Sequence, residues 1–351
     1  MDDTAQTDTA TNLKNAIGDI LAVIEQDRER EIITRRFGLF DRRETLEQIG
    51  ELLGITRERV RQLEKAILIR LKIAADENKV PAIHDVERLL IRELSETGRV
   101  ARVQDITTRL IGEGSDARHR AHVAFIAELS PKLAVLSEND HYHHSIGIKE
   151  HADEKKIKSH VDEIVKTIKK HGEPLQIEEL HAKLNHDHPS HVRALASTSK
   201  HLANLKDNWG LTKWPTVNPK NIRDKIYVIL AENGKPMHFS DIAGSIKKSD
   251  FKRKDVTTQA IHNELIKDKR FVLIGRGIYA LDNWGFSKGT VADIITDVLK
   301  TANEPLHRDE IVKRVLSSRQ VKETTILLNL QSKPQFKRVA KATYALAEPA
   351  K

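Results

Sequence analysis

Four long polar side chains stand at a spacing that places them together on one face of a helix. Arg57, Glu58, Arg61 and Gln62 occupy relative positions i, i+1, i+4 and i+5. In the major groove of DNA, arginine suits the two acceptors of guanine, glutamine suits adenine, and glutamate accepts a hydrogen bond from the cytosine amino group. Mixed charged faces are also common on solvated helices of bundles, so the spacing alone leaves both interpretations open.

Two short helices joined by a turn are predicted to position this row. Apolar residues recur at three- and four-residue steps from Leu46 to Leu53, which predicts a first helix with one buried face. Thr45 is a suitable N-cap for it, and Gly54 permits the sharp backbone turn that ends it. Thr56 can cap a second helix that begins at about Arg57. This order of elements is typical of a helix-turn-helix, whose second helix can lie in the major groove.

Residues 27–71 closely resemble region 4 of the sigma-70 family of transcription initiation factors. The motifs RFGL at 36–39, TLEQIG at 45–50 and TRERVRQLE at 56–64 carry the resemblance. In that family the second helix reads the minus-35 element of promoter DNA, while other residues contact the phosphate backbone, and one of these, Arg59, could instead contact an activator protein. The resemblance implies base contacts by Arg57, Glu58, Arg61 and Gln62, and backbone contacts by Arg36, Thr45, Glu47, Arg59 and Lys65.

The same resemblance implies a bacterial protein that meets the RNA polymerase core through the flap region of the β subunit. Complete sigma factors of the family carry, ahead of region 4, an aromatic-rich helix that captures the melted promoter strand and a large anchor on the polymerase. Fewer than thirty residues precede region 4 here, and the three tryptophans, Trp209, Trp214 and Trp284, all lie far downstream. We therefore expect a promoter-binding factor that is not a self-sufficient sigma factor.

An internal repeat follows the helix-turn-helix. Copies starting at Asp162, Asp224 and Asp293 each contain an apolar helix, a turn with a proline, and a second amphipathic helix. A more divergent copy starts at Asp85 and lacks the proline. Each copy ends in two short alternating segments around a turn, which indicates a β-hairpin. Three helices and a two-stranded wing are typical of a winged helix. The prolines of the three clear copies are Pro174, Pro236 and Pro305.

The copy at residues 221–284 resembles the HARE-HTH domain, a winged helix also found in the delta subunit of bacterial RNA polymerase. KPMHFSDIA at 235–243 and RFVLIGRGIYAL at 270–281 carry this resemblance, with Gly277 and Tyr279 matching the family's wing. The last copy is less similar, because Ala342 replaces the wing glycine.

The predicted fold class is mainly α, with a four-helix helix-turn-helix domain followed by about four winged helices. The first two helices, one starting at residue 12 and ending near Gln26 and one running from Asp27 to Gly38, are expected to pack beneath the helix-turn-helix. The polar segment 76–81 is predicted to be a hinge. The predicted domains are a disordered tail at 1–11, the helix-turn-helix domain at 12–75, and winged helices at 82–149, 153–217, 220–286 and 288–348.

Composition points to a polyanionic partner. The net charge is +8, and it is distributed unevenly: residues 1–80 carry 14 Lys/Arg and 16 Asp/Glu, residues 81–219 carry 20 of each, and residues 220–351 carry 25 and 15. There are no cysteines, which excludes disulfides and thiolate chemistry, and no apolar run approaches membrane-spanning length. We therefore expect a cytoplasmic protein with no membrane partner; the sequence does not indicate its oligomeric state.

Metal binding and catalysis are not expected. Two histidine clusters, at 141–144 and 186–191, raise the question of zinc, and His186, His188 and His191 are close in sequence. Both clusters fall in predicted turns or helix starts without a supporting ligand framework, so we predict no metal site and no cofactor. The glycines at 275 and 277 belong to a wing rather than to a phosphate-binding loop, and no nucleophile–base pair is evident, so we predict no enzyme activity.

Three functions stay open on these grounds. The first is a sequence-specific transcription factor that acts at promoters with RNA polymerase. The second is a polymerase accessory or anti-sigma-like protein that occupies the β flap without reading DNA. The third is an adaptor of a DNA-processing system, with which HARE-HTH domains are often fused.

Overall fold

The computed structural model describes residues 3–184, 186–251, 253, 255–286, 289–319 and 321–347. These residues are mainly helical, with small antiparallel sheets, and they form two compact units, Met1–Lys213 and Trp214–Lys351. The predicted fold class is therefore confirmed. Residues 1 and 2 of the predicted tail and the boundary residues 288 and 348 of the last predicted domain lie outside the described residues.

Ten helices and six strands are described in the first unit, and six helices and six strands in the second. The helices of the first unit are α1 Asp3–Ala22, α2 Asp27–Phe37, α3 Leu46–Leu53, α4 Arg57–Asp76, α5 Pro81–Thr97, α6 Val103–Ile111, α7 Ala117–Leu129, α8 Glu154–His171, α9 Ile177–Lys183 and α10 Pro189–Thr198. Its strands are β1 Val100–Arg102, β2 Leu133–Leu136, β3 Ser145–Ile148, β4 Leu175–Gln176, β5 Leu202–Leu205 and β6 Asn208–Leu211.

The second unit repeats one pattern of elements twice. Its helices are α11 Ile222–Asn233, α12 Phe239–Lys248, α13 Thr258–Lys267, α14 Val291–Ala302, α15 Arg308–Ser318 and α16 Glu323–Ser332, with a short 3₁₀ turn at Asp282–Trp284. Its strands are β7 Met237–His238, β8 Phe271–Gly275, β9 Ile278–Leu281, β10 Leu306–His307, β11 Phe336–Ala340 and β12 Thr343–Leu346.

The N-terminal segment differs from its prediction. Helix α1 begins at Asp3 and ends at Ala22, so residues 3–11 are helical rather than disordered, and the helix ends earlier than the predicted Gln26. The early residues are small and polar, which favoured disorder in the sequence. In the structure they extend a helix whose apolar stripe, beginning at Leu13, is fully buried.

Helix α1 also packs on a different partner from the predicted one. Its apolar face lies against α5, α6 and α7, and it shares one hydrophobic core with them and with parts of α2 and α4. The ring of Phe37, at the end of α2, lies 4.7 Å from the ring of Phe125 on α7. The predicted hinge at 76–81 therefore does not interrupt the core. An amphipathic stripe shows that a helix face is buried, but it does not show which element buries it.

Each of the four winged modules contains one strand more than the sequence predicted. The strand orders are β1-β3-β2, β4-β6-β5, β7-β9-β8 and β10-β12-β11, and all pairings are antiparallel. The added strand lies just before the second helix of its module and is two or three residues long. Strands this short contain too few residues for alternation to reveal them.

The last winged module contains a core of its own. Twelve buried residues of α14–α16 and the adjoining strands form it, among them Ile295, Ile326 and Phe336. Its wing turn holds Ala342 at φ 56°, where the preceding module holds Gly277 at φ 69°.

None of the described helices has both the length and the apolar character needed to cross a lipid bilayer.

Candidate nucleic-acid interface

Local capping fixes the ends of α3 and the start of α4, the helix that carries the candidate base-reading residues. The Thr45 hydroxyl accepts a hydrogen bond from the Gln48 N–H at 3.3 Å, and the Gln48 side chain accepts one from the Thr45 N–H at 2.9 Å. Gly54 ends α3 in the left-handed region, at φ 63°. Thr56 caps α4 by accepting from the Arg59 N–H at 3.2 Å. The predicted caps and the predicted start of α4 are confirmed.

The two helices of the motif approach each other closely at Gly50. A Cβ atom placed on this glycine would lie 2.7 Å from the backbone oxygen of Ile55 in the turn. The small core of the motif is formed by Ile32, Ile49 and Val60. In the sequence, Gly50 stands out only as part of a motif, and its position one turn before the end of a helix is the signal that could have indicated the close approach.

The four predicted base-reading residues all lie on the exposed face of α4. Arg57, Glu58, Arg61 and Gln62 are each solvent-exposed. Arg61 donates two hydrogen bonds to the Glu58 carboxylate, from Nε at 2.8 Å and from Nη2 at 2.6 Å. These bonds hold the pKa of Glu58 below its usual value. Gln62 Nε2 lies 3.4 Å from the same carboxylate. Glu58, Arg61 and Gln62 therefore form one hydrogen-bonded group, and Arg57 is exposed one position before Glu58.

The predicted backbone-contacting residues are less uniform. Lys65 is exposed on α4, and Glu47 lies 3.9 Å from the Arg57 guanidinium. Arg36 is partly buried, and its Nε donates a hydrogen bond to Glu64 at 3.1 Å. The hydroxyl of Thr45 and the backbone N–H of Arg59 take part in the helix caps, and Arg59 Nη1 also lies 3.4 Å from Gln62 Oε1. Arg36 would therefore have to leave an ion pair before it could contact phosphate.

Two further arginines near the motif were not singled out in the sequence. Arg42 and Arg43, in the loop before α3, line a cleft of about 450 Å³ together with Arg102 and Arg120. The adjacent pair of arginines in the loop was a visible signal. The other two could not be associated with it, because they lie about 60 residues or more further along the chain.

The histidine clusters of the sequence are rearranged by the fold. His188 caps α10 by accepting a hydrogen bond from the Ser190 N–H at 3.2 Å, so it does not join the predicted trio. His160, which lies outside both sequence clusters, joins His186 and His191 instead. Burial lowers the pKa of His186 and of His191.

The other histidine cluster does not form a comparable group. His141 Nδ1 lies 2.7 Å from His201 Nε2, so its partner is distant in sequence. Burial lowers the pKa of His143 and of His144, which line the arginine cleft. Among the described residues, the single trio of histidine, cysteine or carboxylate groups placed to hold a metal ion is the one that contains His160.

Comparison with known proteins identifies the part of the chain that contains this surface. The family model for sigma-70 region 4 matches residues 26–72. Over 61 residues the chain is 44% identical to the RNA polymerase sigma factor SigA of Listeria monocytogenes serovar 1/2a, and equally to that of Listeria innocua serovar 6a. This stretch is 17% of the chain and 16% of each relative, so the chain spans about a sixth of the length of the relatives it matches.

Proposed function

We propose, from the premise that residues 26–72 are a sigma-70 region 4 helix-turn-helix, that this protein is a sequence-specific transcription factor acting at promoters together with RNA polymerase. The head, defined here as α2–α4, would place α4 in the major groove of a minus-35-like element. The protein would act by binding rather than by catalysis.

The observation that carries this proposal is the exposed row on α4. Its helix is capped at Thr56, its side chains face solvent, and they include the residue types that read guanine, adenine and cytosine edges. In this arrangement Arg61 and Gln62 would discriminate bases, with Arg57 and Glu58 beside them. Lys65 and the loop arginine Arg42 are placed to contact phosphate, which positions the helix without specifying sequence.

A second surface of α4 favours a protein partner. Ile69 and Ile73 lie one turn apart and are 49% and 50% exposed, beyond the polar row. Exposed aliphatic side chains on one helix face are typical of protein–protein contacts when they occur together. We propose that this face contacts RNA polymerase, and by likeness to the sigma family that the contact is with the β flap.

The winged modules would add a less specific contribution. The C-terminal third carries the whole positive excess of the chain, so α11–α16 would strengthen DNA binding in a salt-sensitive way or bind a partner protein. We keep the HARE-HTH likeness of residues 221–284 as part of this proposal. It rests on the wing motif, where Gly277 lies so close to His238 that a Cβ atom would be 2.5 Å from Nε2.

The decisive experiment replaces two base-reading residues together, as Arg61→Ala with Gln62→Ala. Selection from randomised DNA and fluorescence anisotropy would compare this variant with the wild type. We expect discrimination between selected and scrambled sites to fall roughly 10- to 100-fold, while polymerase pull-down is retained. Arg118→Ala is a matched control. Arg118 lies on α7, outside the head, and it also donates two hydrogen bonds to a nearby carboxylate, that of Asp116.

The same experiment separates the main alternative, a polymerase-binding protein that does not read DNA. The exposed pair Ile69 and Ile73 is the observation that favours this alternative. If the double variant binds every DNA as the wild type does, base reading by α4 is wrong. If Ile69→Ser with Ile73→Ser abolishes polymerase pull-down in the same protein, the accessory function is supported instead.

A further inference from the structure

Three histidines meet in the second winged module, and one of them, His160, is distant in sequence from the other two. His160 lies on α8, His186 lies between α9 and α10, and His191 lies on α10. Each offers a ring nitrogen, and these three atoms lie within 4.8 Å of one another. The ring centroids are 4.6 Å apart for His160 and His186, 5.9 Å for His186 and His191, and 6.5 Å for His160 and His191.

Two nitrogens in this cluster are buried without a hydrogen-bond partner. They are Nδ1 of His160 and Nε2 of His186. The side chain of His186 is only 7% exposed. Buried polar atoms are almost always paired in folded proteins, and an unpaired one calls for an explanation such as a bound ion. Two such atoms from adjacent imidazoles, both inside the same group, therefore point to a ligand that both of them bind.

The third imidazole is oriented by the first winged module. His191 Nδ1 donates a hydrogen bond to the backbone oxygen of Gly98 at 2.7 Å. This bond fixes the tautomer and leaves Nε2 as the atom with a free lone pair. A metal-binding histidine usually donates its other N–H to a carbonyl or carboxylate in this way. The hydrogen bond to Gly98 therefore holds His191 in the tautomer that a metal ligand needs.

We propose that His160, His186 and His191 bind one Zn²⁺ ion. Three neutral imidazoles suit zinc, which takes nitrogen ligands at about 2.0–2.1 Å in tetrahedral geometry. In that geometry ligand nitrogens are about 3.3 Å apart, so the three rings would close on the ion by small side-chain rotations. With no cysteine in the chain, nitrogen and oxygen are the available donors.

Glu163 is positioned to complete the coordination. Its carboxylate lies 4.0 Å from Nε2 of His186, and its side chain is about half exposed, so it can rotate. It lies on α8 one turn beyond His160 and on the same side of that helix. A carboxylate in the fourth position would close the site, and four-coordinate closed sites are typical of structural zinc.

The site lies where two winged modules join. A Cβ atom on Gly98 would be 2.4 Å from the backbone oxygen of Ser190, so the two modules are in close contact there. Arg99 adds an ion pair with Asp187 at 2.8 Å, immediately after His186. A metal ion that links α8, α10 and the segment between α9 and α10 would therefore hold the second module in the form that contacts the first. Its function would be structural and independent of DNA reading.

The test uses the full-length protein without a histidine tag, treated with chelator and then titrated with Zn²⁺ or Co²⁺. We expect one saturable equivalent per chain, and visible Co²⁺ absorption bands of tetrahedral intensity. X-ray absorption of the zinc form is expected to show imidazole scattering. His160→Ala and His186→Ala should each weaken binding at least about 100-fold, because loss of even an outer-shell partner costs 10- to 100-fold. Glu163→Gln should weaken it less.

Two matched variants control for general effects of removing histidine. His171→Ala removes an exposed histidine from the end of the same helix, α8, and His141→Ala removes one from the other close histidine pair. Both should bind zinc as the wild type does. The wild type should also gain thermal stability when zinc is added, and His160→Ala should not.

Several results would overturn the proposal. Absence of a saturable site in the wild-type protein is sufficient by itself, and so is an absorption spectrum without imidazole ligands. Unchanged zinc affinity in both His160→Ala and His186→Ala would also overturn it. Circular dichroism would verify that the variants are folded; if they are not, the wild-type titration and spectra decide the question alone.

Discussion

The first and the last winged modules share an order of elements but differ in how their cores are completed. The first module buries α1, a helix from the N-terminal end of the chain, and its core continues into α2 and α4 of the head. The last module fills its core with residues of its own helices and strands. Apart from this shared core, the head has a small cluster of buried side chains, Ile32, Ile49 and Val60. Two modules with the same order of elements can therefore differ in whether their core is shared with a neighbouring domain or formed by the module alone.

The largest expected effect comes from removing a large side chain from each of the two cores. Phe125 is fully buried in the shared core and contacts Phe37 of the head, so Phe125→Ala should destabilise the first unit by about 3–5 kcal/mol. Because the head is part of that core, DNA binding should fall as well. Urea unfolding and fluorescence anisotropy with promoter DNA would measure the two effects.

Phe336→Ala is the matched change in the last module. It should cost a similar free energy of unfolding but leave base discrimination by the head unchanged. Hydrogen exchange measured by mass spectrometry would assign each loss to its module. Equal losses of DNA discrimination in the two variants would contradict a special dependence of the head on the shared core.

A smaller effect is expected from adding one methyl group to a helix in each region. Gly50→Ala would force Cβ against the Ile55 backbone oxygen and should destabilise the head by about 1–3 kcal/mol. Gly244 lies in α12, the second helix of the third module, with open space around it, so Gly244→Ala should stabilise that module by about 0.5–1 kcal/mol. Opposite signs in thermal unfolding would confirm the difference; two stabilised proteins would contradict the close approach at Gly50.

Acid should weaken the shared core through His122 in a graded way. Its Nε2 donates to the Leu39 backbone oxygen at 2.7 Å, its Nδ1 is buried without a partner, and burial lowers its pKa. The unfolded chain, with a histidine pKa near 6.5, therefore binds this proton first, so stability is greatest above about pH 6.5 and falls as the pH decreases below it. His122→Gln should reduce this dependence in urea unfolding at pH 7.5, 6.5 and 5.5. An unchanged pH profile would exclude His122 as the cause.

The smallest expected effect is an increase in the stability of the last module. Ala342 has a positive φ of 56°, which is unfavourable for a residue with Cβ, and Ala342→Gly should stabilise the module by about 0.5–1 kcal/mol. Gly277→Ala in the third module is the reverse change and should be destabilising. Thermal unfolding of both variants would measure the pair, and a destabilised Ala342→Gly protein would contradict the argument.

What the sequence predicted correctly depends on short-range physics. The ends of α3 and the start of α4 are determined by hydrogen bonds between residues at most four positions apart, at Thr45, Gly54 and Thr56. The bounds of the helix-turn-helix could therefore be predicted to within about a residue. The partner of α1 could not be found in this way, because a buried stripe is compatible with any apolar neighbour. The histidine trio could not be predicted because 25 residues separate His160 from His186, and only the packing of α8 brings the two side chains together.

Under the proposed function, the two hydrogen bonds from Arg61 to Glu58 would change how salt affects the recognition of DNA bases. Arg61 already donates two hydrogen bonds to the Glu58 carboxylate, so under the proposed function a guanine edge would have to replace this internal partner. At a base that offers a poorer edge, the arginine would keep its internal partner, and the wrong complex would gain little. Added salt screens the internal partner as well as the DNA phosphates. Base contacts by Arg61 should therefore be less sensitive to ionic strength than the proposed phosphate contact of Lys65.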